Sequence, residues 1–398
     1  MSALVKFCRT AFATLLLCVS AAASAQEMRT VRLGMTVSET GEFKEQSAAF
    51  VSGVKFWARD LLDRGANPIE LITYDDESKP AKAAELYERL ITQDNVDLLI
   101  GPFSSSQVMA VAPVVERHNF PMIVEASAPV VFQQGFRNVF GIYTPADVNM
   151  DGVMDMAREN GLSSVAIAYQ NSEFPAAVAQ GARATAPGKG LSVVFDGSYP
   201  VGAESLEDLA GSLASARPDL IILGAYLEDS IRFVKALKAT GYAPKMLAVS
   251  GAPSLRQFGE ALGADADGVI ATTQWMRSGR IPGSFDFAFR YRERYDVYPG
   301  YNAAGGYAAG QIIEAAARLS RLREVSNDPQ AIRSRVREQL ATMNFQSLLG
   351  NYRVDETGRQ RGKALYIIQW QGPHRSLIAP KDIARWQLKF PFPGWSAR

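Results

Sequence analysis

The sequence predicts an α/β protein made of two doubly wound, parallel-sheet lobes. Short, continuously apolar segments alternate with amphipathic stretches over most of the 398 residues, and they form two series of about five strands each. Strands that are apolar on both faces and separated by helices are typical of parallel sheets covered by helices on each side. No flexible, low-complexity linker separates the two series, so we expect strand-like crossings to join the lobes.

The first series alternates strands with helices from residue 31 onward. Its strand-like segments are VRLGM (31–35), ELITY (70–74), VDLLIG (96–101), PMIV (121–124) and VFGIY (139–143). A helix is predicted after the first strand by apolar residues at spacings of four, three and four, which are Phe50, Val54, Trp57 and Leu61. Another helix is predicted to begin at Pro80, with Asp75 and Asp76 as its cap.

The second series has the same pattern, and the order of elements changes after it. Its strand-like segments are SVAIAY (164–169), LSVVF (191–195), DLIILG (219–224), KMLAVS (245–250) and GVIATT (268–273). The stretch from Phe285 to Ala317 is strongly helical, and a further helix is indicated by Ile332, Val336, Leu340 and Met343. The segments ALYIIQW (364–370) and RSLIAP (375–380) are predicted to pair as antiparallel strands.

The first 25 residues are predicted to be a cleaved secretory signal. Lys6 and Arg9 form a short basic region, residues 11–19 are apolar, and the A-S-A at residues 23–25 matches a cleavage site. The apolar run is too short for a membrane-spanning helix, which needs about 20 residues. Both cysteines of the sequence lie in this segment. We therefore expect a soluble mature chain without disulfides that is exported to the periplasm.

Composition and motifs disfavour nucleic-acid binding, metal binding and catalysis. The formal net charge is only +1, and neither histidine, His118 or His374, has further ligands at metal-binding spacing. The sequence contains no G-x-S-x-G, no G-x-G-x-x-G after the first strand and no G-x-x-x-x-G-K-[ST]. We therefore expect a binding protein without a cofactor. An exported α/β hydrolase is an alternative that would need a nucleophile–base pair.

Three consecutive serines follow a predicted strand at the point where a helix is predicted to begin. In LLIGPFSSSQVMAVAP (98–113), Ser104, Ser105 and Ser106 lie at the carboxyl end of the strand, where open α/β sheets bind ligands. The first N–H groups of a helix lack partners within the helix and carry a partial positive charge. Together with the hydroxyls, they can hold a carboxylate without a lysine or an arginine. Simple N-capping is the alternative for any single serine.

The order of the motifs resembles the type I periplasmic solute-binding proteins of the leucine/isoleucine/valine-binding group, which belong to ABC uptake systems. Six segments carry the resemblance over nearly the whole mature chain: VRLGMTVSETGEF, ELITYDDESKPAKAAELYERLI, LLIGPFSSS, GFRNVFGIYTPAD, DLIILGAYLEDSIRFVKALKATGY and YRERYDVYPGYNAAGGYAAGQIIEAA. The resemblance implies two lobes joined by three crossings, with the ligand between them. One lobe would comprise residues 28–145 and 279–345, and the other residues 146–278 and 346–398.

The resemblance also implies partners and ligand-binding residues. The partners would be a permease and an ATPase at the inner membrane, and the protein would be a monomer; a ligand sensor for a receptor or regulator is the alternative. The carboxylate-binding serine would be Ser105, or Ser104 if the loop shifts by one residue. Further contacts would come from the turn after the next strand and from the opposite lobe, at Ala126, Ser127, Ala128, Phe174, Tyr226 and Ser250.

One departure from the resemblance bears on the ligand. Ser250 stands where amino-acid binders of this group have an acid that pairs with the α-ammonium of the ligand. A buried ammonium without a partner is costly, so either the ligand lacks the amino group or another acid, Glu125 or Glu228, replaces the missing one. We predict a small carboxylate with an apolar body, such as an aromatic or 2-oxo acid. A branched-chain or similar amino acid is the alternative. Trp275 and Tyr301 are candidates for ring stacking.

Overall fold

The structure is a computed structural model of the chain, and it describes residues 30–278, 280–320, 328–361 and 363–395. The predicted secretory signal, residues 1–25, lies outside the described residues. None of the helices in the described ranges combines the length and the apolarity that a membrane span requires.

The first five strands form one parallel sheet. They are β1 (Val31–Val37), β2 (Ile69–Asp75), β3 (Leu98–Ile100), β4 (Met122–Val124) and β5 (Val139–Gly141). Their order in the sheet is β2-β1-β3-β4-β5, and all neighbouring pairs are parallel. Alternate residues of β3 enter different core clusters, Leu98 one and Leu99 the other, because both faces of the sheet are covered. The predicted first series of strands is confirmed.

The other nine strands of the described residues form a second sheet of seven strands and a separate hairpin of two. These strands are β6 (Ser164–Gln170), β7 (Ser192–Tyr199), β8 (Leu220–Gly224), β9 (Met246–Val249), β10 (Ile270–Thr273), β11 (Phe345–Ser347), β12 (Gly350–Tyr352), β13 (Tyr366–Gln371) and β14 (His374–Ala379). The sheet order is β14-β13-β10-β9-β8-β6-β7, with β11 and β12 in a separate hairpin. Strands β6 to β10 are parallel, and the predicted antiparallel pair joins them through β13.

Eleven helices in the described residues connect and cover these strands. They are α1 (Lys44–Asp63), α2 (Pro80–Thr92), α3 (Ser105–Arg117), α4 (Asp151–Glu159), α5 (Glu173–Thr185), α6 (Glu207–Ala216), α7 (Leu227–Ala239), α8 (Arg256–Leu262), α9 (Ser284–Tyr295), α10 (Tyr301–Leu319) and α11 (Pro329–Thr342). The predicted helices at residues 50–61 and from Pro80 onward are confirmed. The continuous helical stretch from 285 to 317 is interrupted between α9 and α10, where Asp296 has a positive φ and Pro299 and Gly300 follow.

The predicted capping role of Asp75 and Asp76 is wrong. The N-cap residue of α2 is Lys79, and no side chain caps this helix. Asp76 is buried, and its carboxylate accepts hydrogen bonds at 2.6 Å from the hydroxyls of Thr36 and Ser38. The acid therefore joins the ends of β1 and β2 rather than the start of the helix.

The late helices and the short hairpin pack onto the first sheet. Phe287 of α9, Ile312 of α10 and Leu340 of α11 belong to the same core cluster as Leu33 of β1. Tyr352 of the β11–β12 hairpin, which was not predicted, is also in this cluster. The division of the chain into lobes stays a prediction, and this packing favours placing residues 345–352 with the first sheet.

Three segments that pass between the sheets are joined by hydrogen bonds at Gln274. The Gln274 side-chain oxygen accepts from the Thr144 backbone N–H and from the Lys363 ammonium, both at 3.0 Å. The Gln274 amide nitrogen donates to the Thr144 carbonyl at 3.2 Å. One side chain that follows β10 therefore ties together the segments that follow β5 and precede β13.

Candidate ligand-binding site

A cavity lies between the carboxyl ends of the parallel strands of the two sheets. Its lining comes from segments after β1, β3, β4 and β5 on one side and after β6, β8 and β9 and at β10 on the other. The walls enclose about 650 Å³, counted with the opening to solvent. Ligands of open α/β sheets bind at this end of the strands, so we regard the cavity as the candidate site.

The serine loop after β3 forms one polar wall of the cavity. Ser104 is the N-cap of α3, and its hydroxyl oxygen accepts a hydrogen bond from the backbone N–H of Gln107 at 3.3 Å. The hydroxyl oxygen of Ser105 accepts from the backbone N–H groups of Ser127 (3.4 Å) and Ala128 (3.2 Å). Because the oxygen is the acceptor in both bonds, the Ser105 hydroxyl proton is left to donate to a ligand oxygen. One serine caps the helix and its neighbour is placed to bind.

Two of the predicted site residues do not line the cavity. Ser106 lies next to Ser105 on the first turn of α3, and successive side chains on a helix point about 100° apart; its hydroxyl is 3.1 Å from that of Ser104. Ala128 is fully buried in a core cluster, and its N–H is bound by Ser105. Ala126 and Ser127, which precede it, do line the cavity.

Aromatic rings from both sides of the cleft meet at one end of the cavity. Phe174, near the start of α5, and Tyr226, the N-cap residue of α7, line it as predicted from the second-sheet side. Their ring centroids are 5.7 Å apart. Phe43 and Phe103 come from the first-sheet side, and the Phe43 ring lies 4.9 Å from that of Tyr226. Three rings of this cluster, Phe103, Phe174 and Tyr226, line the cavity and give it a largely apolar wall.

The remaining predicted residues divide between wall, core and surface. Ser250 lines the cavity, and its hydroxyl accepts from the Ala225 N–H at 3.1 Å and is 3.2 Å from the Ala225 carbonyl. Its side chain therefore holds the β8 and β9 loops together. Tyr301 also lines the cavity, whereas Trp275 is buried against Phe287 outside it. Glu228 is exposed on α7, away from the cavity.

Glu125 is the acid that the structure brings into the cavity wall. It is 4% exposed, and neither carboxyl oxygen has a hydrogen-bond partner among the described residues. Burial raises the pKa of Glu125 well above its usual range, and the nearby Tyr143 hydroxyl lowers this pKa by a smaller amount. That hydroxyl lies 3.4 Å from the Tyr301 carbonyl and donates to it. Burial in the cavity wall therefore favours the neutral form of Glu125.

Several lining residues were not predicted from the sequence. They are Gln46, Phe103, Tyr143, Asn149, Ala225, Gly251, Ala252, Leu255, Thr272, Thr273, Gln274 and Leu365. Most lie in no motif of their own, although Tyr143 is the last residue of a predicted strand and could have been proposed on that ground. Gln46 is buried in α1, and its side-chain oxygen has no hydrogen-bond partner among the described residues.

The cavity wall contains no basic residue in the part of the chain that the structure describes. Lys363 lies behind two residues of this wall. Its ammonium donates to Gln274 and is 5.4 Å from the centre of the Tyr143 ring. Burial lowers the pKa of Lys363 to about 7. Across the described ranges, no group of three or more His, Cys, Asp or Glu side chains is placed to hold a metal ion.

Two doubly wound sheets with a hydroxyl-lined cleft between them define a solute-binding protein. A family model described as "Periplasmic binding protein" matches residues 30–375. The chain belongs to this family, as a type I periplasmic solute-binding protein of ABC uptake systems. The resemblance predicted from the sequence motifs is confirmed, and so is the fold class.

Relatives and solved structures agree with this assignment. The Leu/Ile/Val-binding protein homolog 7 of Brucella abortus is 24% identical over 322 residues, which are 76% of this chain and 79% of that protein. The leucine-binding protein LivK of Thermotoga maritima has a TM-score of 0.77 at 20% identity, covering 89% of this chain and 100% of its own.

Two further structures of the same fold contain ligands. LivJ of Streptococcus pneumoniae, in complex with isoleucine, has a TM-score of 0.77 at 17% identity, over 91% of this chain and 100% of its own. A solute-binding protein of Rhodopseudomonas palustris, in complex with benzoate, has a TM-score of 0.75 at 18% identity, over 93% and 98%. At these identities the likeness concerns the fold.

Proposed function

We propose that the protein binds a small carboxylate with an apolar or aromatic body in the cleft and delivers it to an ABC permease in the inner membrane. The single observation that carries the proposal is the Ser105 hydroxyl. It lies on the cavity wall at the start of α3, with its oxygen occupied by two backbone N–H groups and its proton left to donate.

The electrostatics of this wall suit one carboxylate. The start of α3 contributes partial positive charge, and a hydrogen bond to a charged group contributes roughly 1.5–3 kcal/mol. These neutral donors can replace a basic residue, and the wall contains none in the described part of the chain. A ligand with two carboxylates would leave one of them without a comparable partner.

The rest of the wall suits an apolar body. The rings of Phe103, Phe174 and Tyr226 lie on the cavity wall together with Leu255. Burying apolar ligand surface against them contributes about 25 cal/mol per Å². Complexes of the same fold with isoleucine and with benzoate support ligands of this size and polarity.

The partners and the location follow from the family rather than from a surface of this chain. Periplasmic binding proteins of ABC systems present their ligand to a permease, so we propose a permease and its ATPase as partners and the periplasm as the location. Export by the predicted signal at residues 1–25 is part of this proposal. We also retain the prediction of a monomer.

Replacing Ser105 by alanine tests the proposal. A thermal-shift screen of amino acids, aromatic acids and 2-oxo acids first finds a ligand, because a ligand bound only to the folded state raises the unfolding temperature. Ser105→Ala is then expected to weaken the binding of that ligand by roughly tenfold to hundredfold, as measured by calorimetric titration.

Ser106→Ala is the matched control, since it removes a neighbouring hydroxyl that does not line the cavity. Its affinity should equal that of the unmodified protein. Unfolding temperatures of both variants separate a loss of binding from a loss of fold. Unchanged affinity in Ser105→Ala, or a screen that yields only ligands without a carboxylate, would contradict the proposal.

A further inference from the structure

Three side-chain oxygen atoms on the cavity wall have no hydrogen-bond donor among the residues that the structure describes. They are the two carboxyl oxygens of Glu125 and the side-chain oxygen of Gln46. Both residues are buried, with 4% and 3% of their surface exposed. Native proteins leave few buried polar atoms unpaired, because each such atom loses its hydrogen bonds to water without a replacement. The three oxygens are therefore available to accept hydrogen bonds from what the cavity binds.

A deaminated acid cannot supply these donors. Its carboxylate and its keto oxygen are acceptors, so the only bond that Glu125 could make with it is one that the neutral carboxyl group donates. The second Glu125 oxygen and the Gln46 oxygen would stay unpaired. A protonated amino group carries three N–H donors, which is the number of unpaired oxygens on these two side chains.

Charge balance favours the same kind of ligand. The ligand carboxylate proposed for the Ser105 wall brings a negative charge into a cavity whose described lining has no basic residue. An ammonium on the same ligand would balance its carboxylate and would leave Glu125 free to ionise against it. A deaminated acid would instead place an anion near an acid that is already difficult to ionise.

Resting on the proposed function, we infer that Glu125 is the specificity-determining residue of the cleft and holds the protonated amino group of the ligand. The ligand is then an amino acid with an apolar or aromatic side chain rather than an aromatic or 2-oxo acid. Gln46 accepts a further hydrogen bond from the same amino group.

The inference also fixes the sign of the pH dependence of binding. Burial raises the pKa of Glu125 in the free protein, and an ammonium requires its ionised form, so binding releases a proton and weakens as the pH falls through that pKa. The titratable neighbours are Tyr143, Tyr226 and Tyr301, whose pKa values burial raises, and Lys363 beyond Tyr143. A deaminated acid that accepts a hydrogen bond from the neutral carboxyl group of Glu125 would show the opposite sign.

Matched ligands on the unmodified protein provide the first test. Leucine is compared with 4-methyl-2-oxopentanoate and 4-methylpentanoate, and phenylalanine with phenylpyruvate and 3-phenylpropionate. Titration calorimetry is expected to show at least tenfold tighter binding of the amino acid in the set that fits the cavity. A deaminated acid that binds as tightly as its amino acid would overturn the inference.

Variants provide the second test. Glu125→Gln keeps the shape of the side chain and removes its charge. It is expected to weaken the binding of the amino acid about tenfold to hundredfold and to reduce the pH dependence of that binding. Glu228→Gln removes an exposed acid outside the cavity and is expected to leave the affinity for the amino acid unchanged. Unfolding temperatures confirm that both variants fold, and the ligand comparison above does not depend on them. Unchanged affinity and pH dependence in a folded Glu125→Gln protein would also overturn the inference.

The two proposals fail in different ways. If a deaminated acid binds best and Ser105→Ala weakens its binding, the proposed carboxylate site is supported and the role proposed for Glu125 is wrong. If Ser105→Ala leaves every bound ligand unaffected, the proposed function itself is wrong.

Discussion

Ser104 and Ser105 are neighbours with different tasks at the start of α3. Ser105 is an α-helical residue whose hydroxyl faces the cavity wall, whereas Ser104 is the N-cap with φ 81° and ψ 151°. That backbone conformation is essentially restricted to glycine and costs of order 1–3 kcal/mol for other residues. The capping bond to the Gln107 backbone N–H and the packing of the loop maintain this strained conformation, which sets the position of Ser105.

Substitutions at Ser104 should separate the cap from the strain. Ser104→Ala loses the capping bond and keeps the Cβ, so we expect the free energy of unfolding to fall by about 0.5–2 kcal/mol. Ser104→Gly also loses the bond but relieves the strain, so it should be more stable than the alanine variant. Chemical denaturation of the ligand-free proteins measures both. A glycine variant less stable than the alanine variant would show that the conformation is not strained.

At the scale of elements, helices α1 and α10 pack at very short range. A Cβ added at Gly53 would lie 1.9 Å from the Ala303 carbonyl oxygen, and one added at Gly306 would lie 1.9 Å from the Phe50 carbonyl oxygen. Both obstacles are backbone atoms, which cannot move aside as a side chain can. The two glycines therefore let α10 approach α1 closely, and this places Tyr301, at the start of α10, on the cavity wall.

A methyl group at this helix contact should be destabilising. Gly306→Ala is expected to lower the free energy of unfolding by about 1–3 kcal/mol or more, because the helices must separate to admit it. Gly211→Ala is the control: Gly211 lies in α6 with open space around its Cβ position, and the substitution should stabilise by about 0.5–1 kcal/mol. Equal effects of the two substitutions in chemical denaturation would contradict the close contact.

At the scale of the whole molecule, a hydrogen bond joins the two sides of the cleft beside the aromatic cluster. The Gln170 amide nitrogen, at the end of β6, donates to Glu42 on the first-sheet side at 2.7 Å and to Asp229 at 3.0 Å. Burial raises the pKa of Glu42, and the hydrogen bond from Gln170 lowers it by less, while Asp229 and Glu228 raise it further. Contact between the two sides therefore favours a neutral Glu42.

This contact should make closure of the cleft depend on pH. Opening returns Glu42 to its ordinary pKa, so the closed form binds the proton more tightly, and closure is favoured as the pH falls through the raised pKa. Small-angle scattering of the ligand-free protein should show a radius of gyration that decreases from pH 8 to pH 5. Glu42→Gln keeps an acceptor for Gln170 and should reduce this change. An identical pH response in the variant would exclude Glu42 as its origin.

Much of the fold could be predicted because its signals are local. The apolar segment at β8 is buried at every residue, and the spacing of Phe50, Val54 and Trp57 marks the buried face of α1. The β11–β12 hairpin was missed because its strands have three residues each, too few for a periodic pattern. The break between α9 and α10 was missed because both flanking segments continue the helical period.

The candidate site was predictable only where a motif marks a strand end. The serine loop and the residues after β4, β6 and β8 follow apolar segments, so their position at the sheet edge could be foreseen. Gln46 and Gln274 contribute to the site through packing of distant segments, and no local pattern marks them. Ser106 and Ala128 lie outside the cavity lining, and the sequence does not show this because the orientation of neighbouring side chains depends on where the helix begins and on the packing of the core.

The sequence by itself determined the two series of strands, the serine loop and the family, because hydrophobic period and motif order are properties of short segments. Only the tertiary structure decided that Glu125 is buried on the cavity wall, with no hydrogen-bond partner among the described residues, whereas Glu228 is exposed. Burial and hydrogen-bond partners depend on segments far apart in the chain. The groups that the cleft offers to a ligand are therefore a property of the assembled cleft.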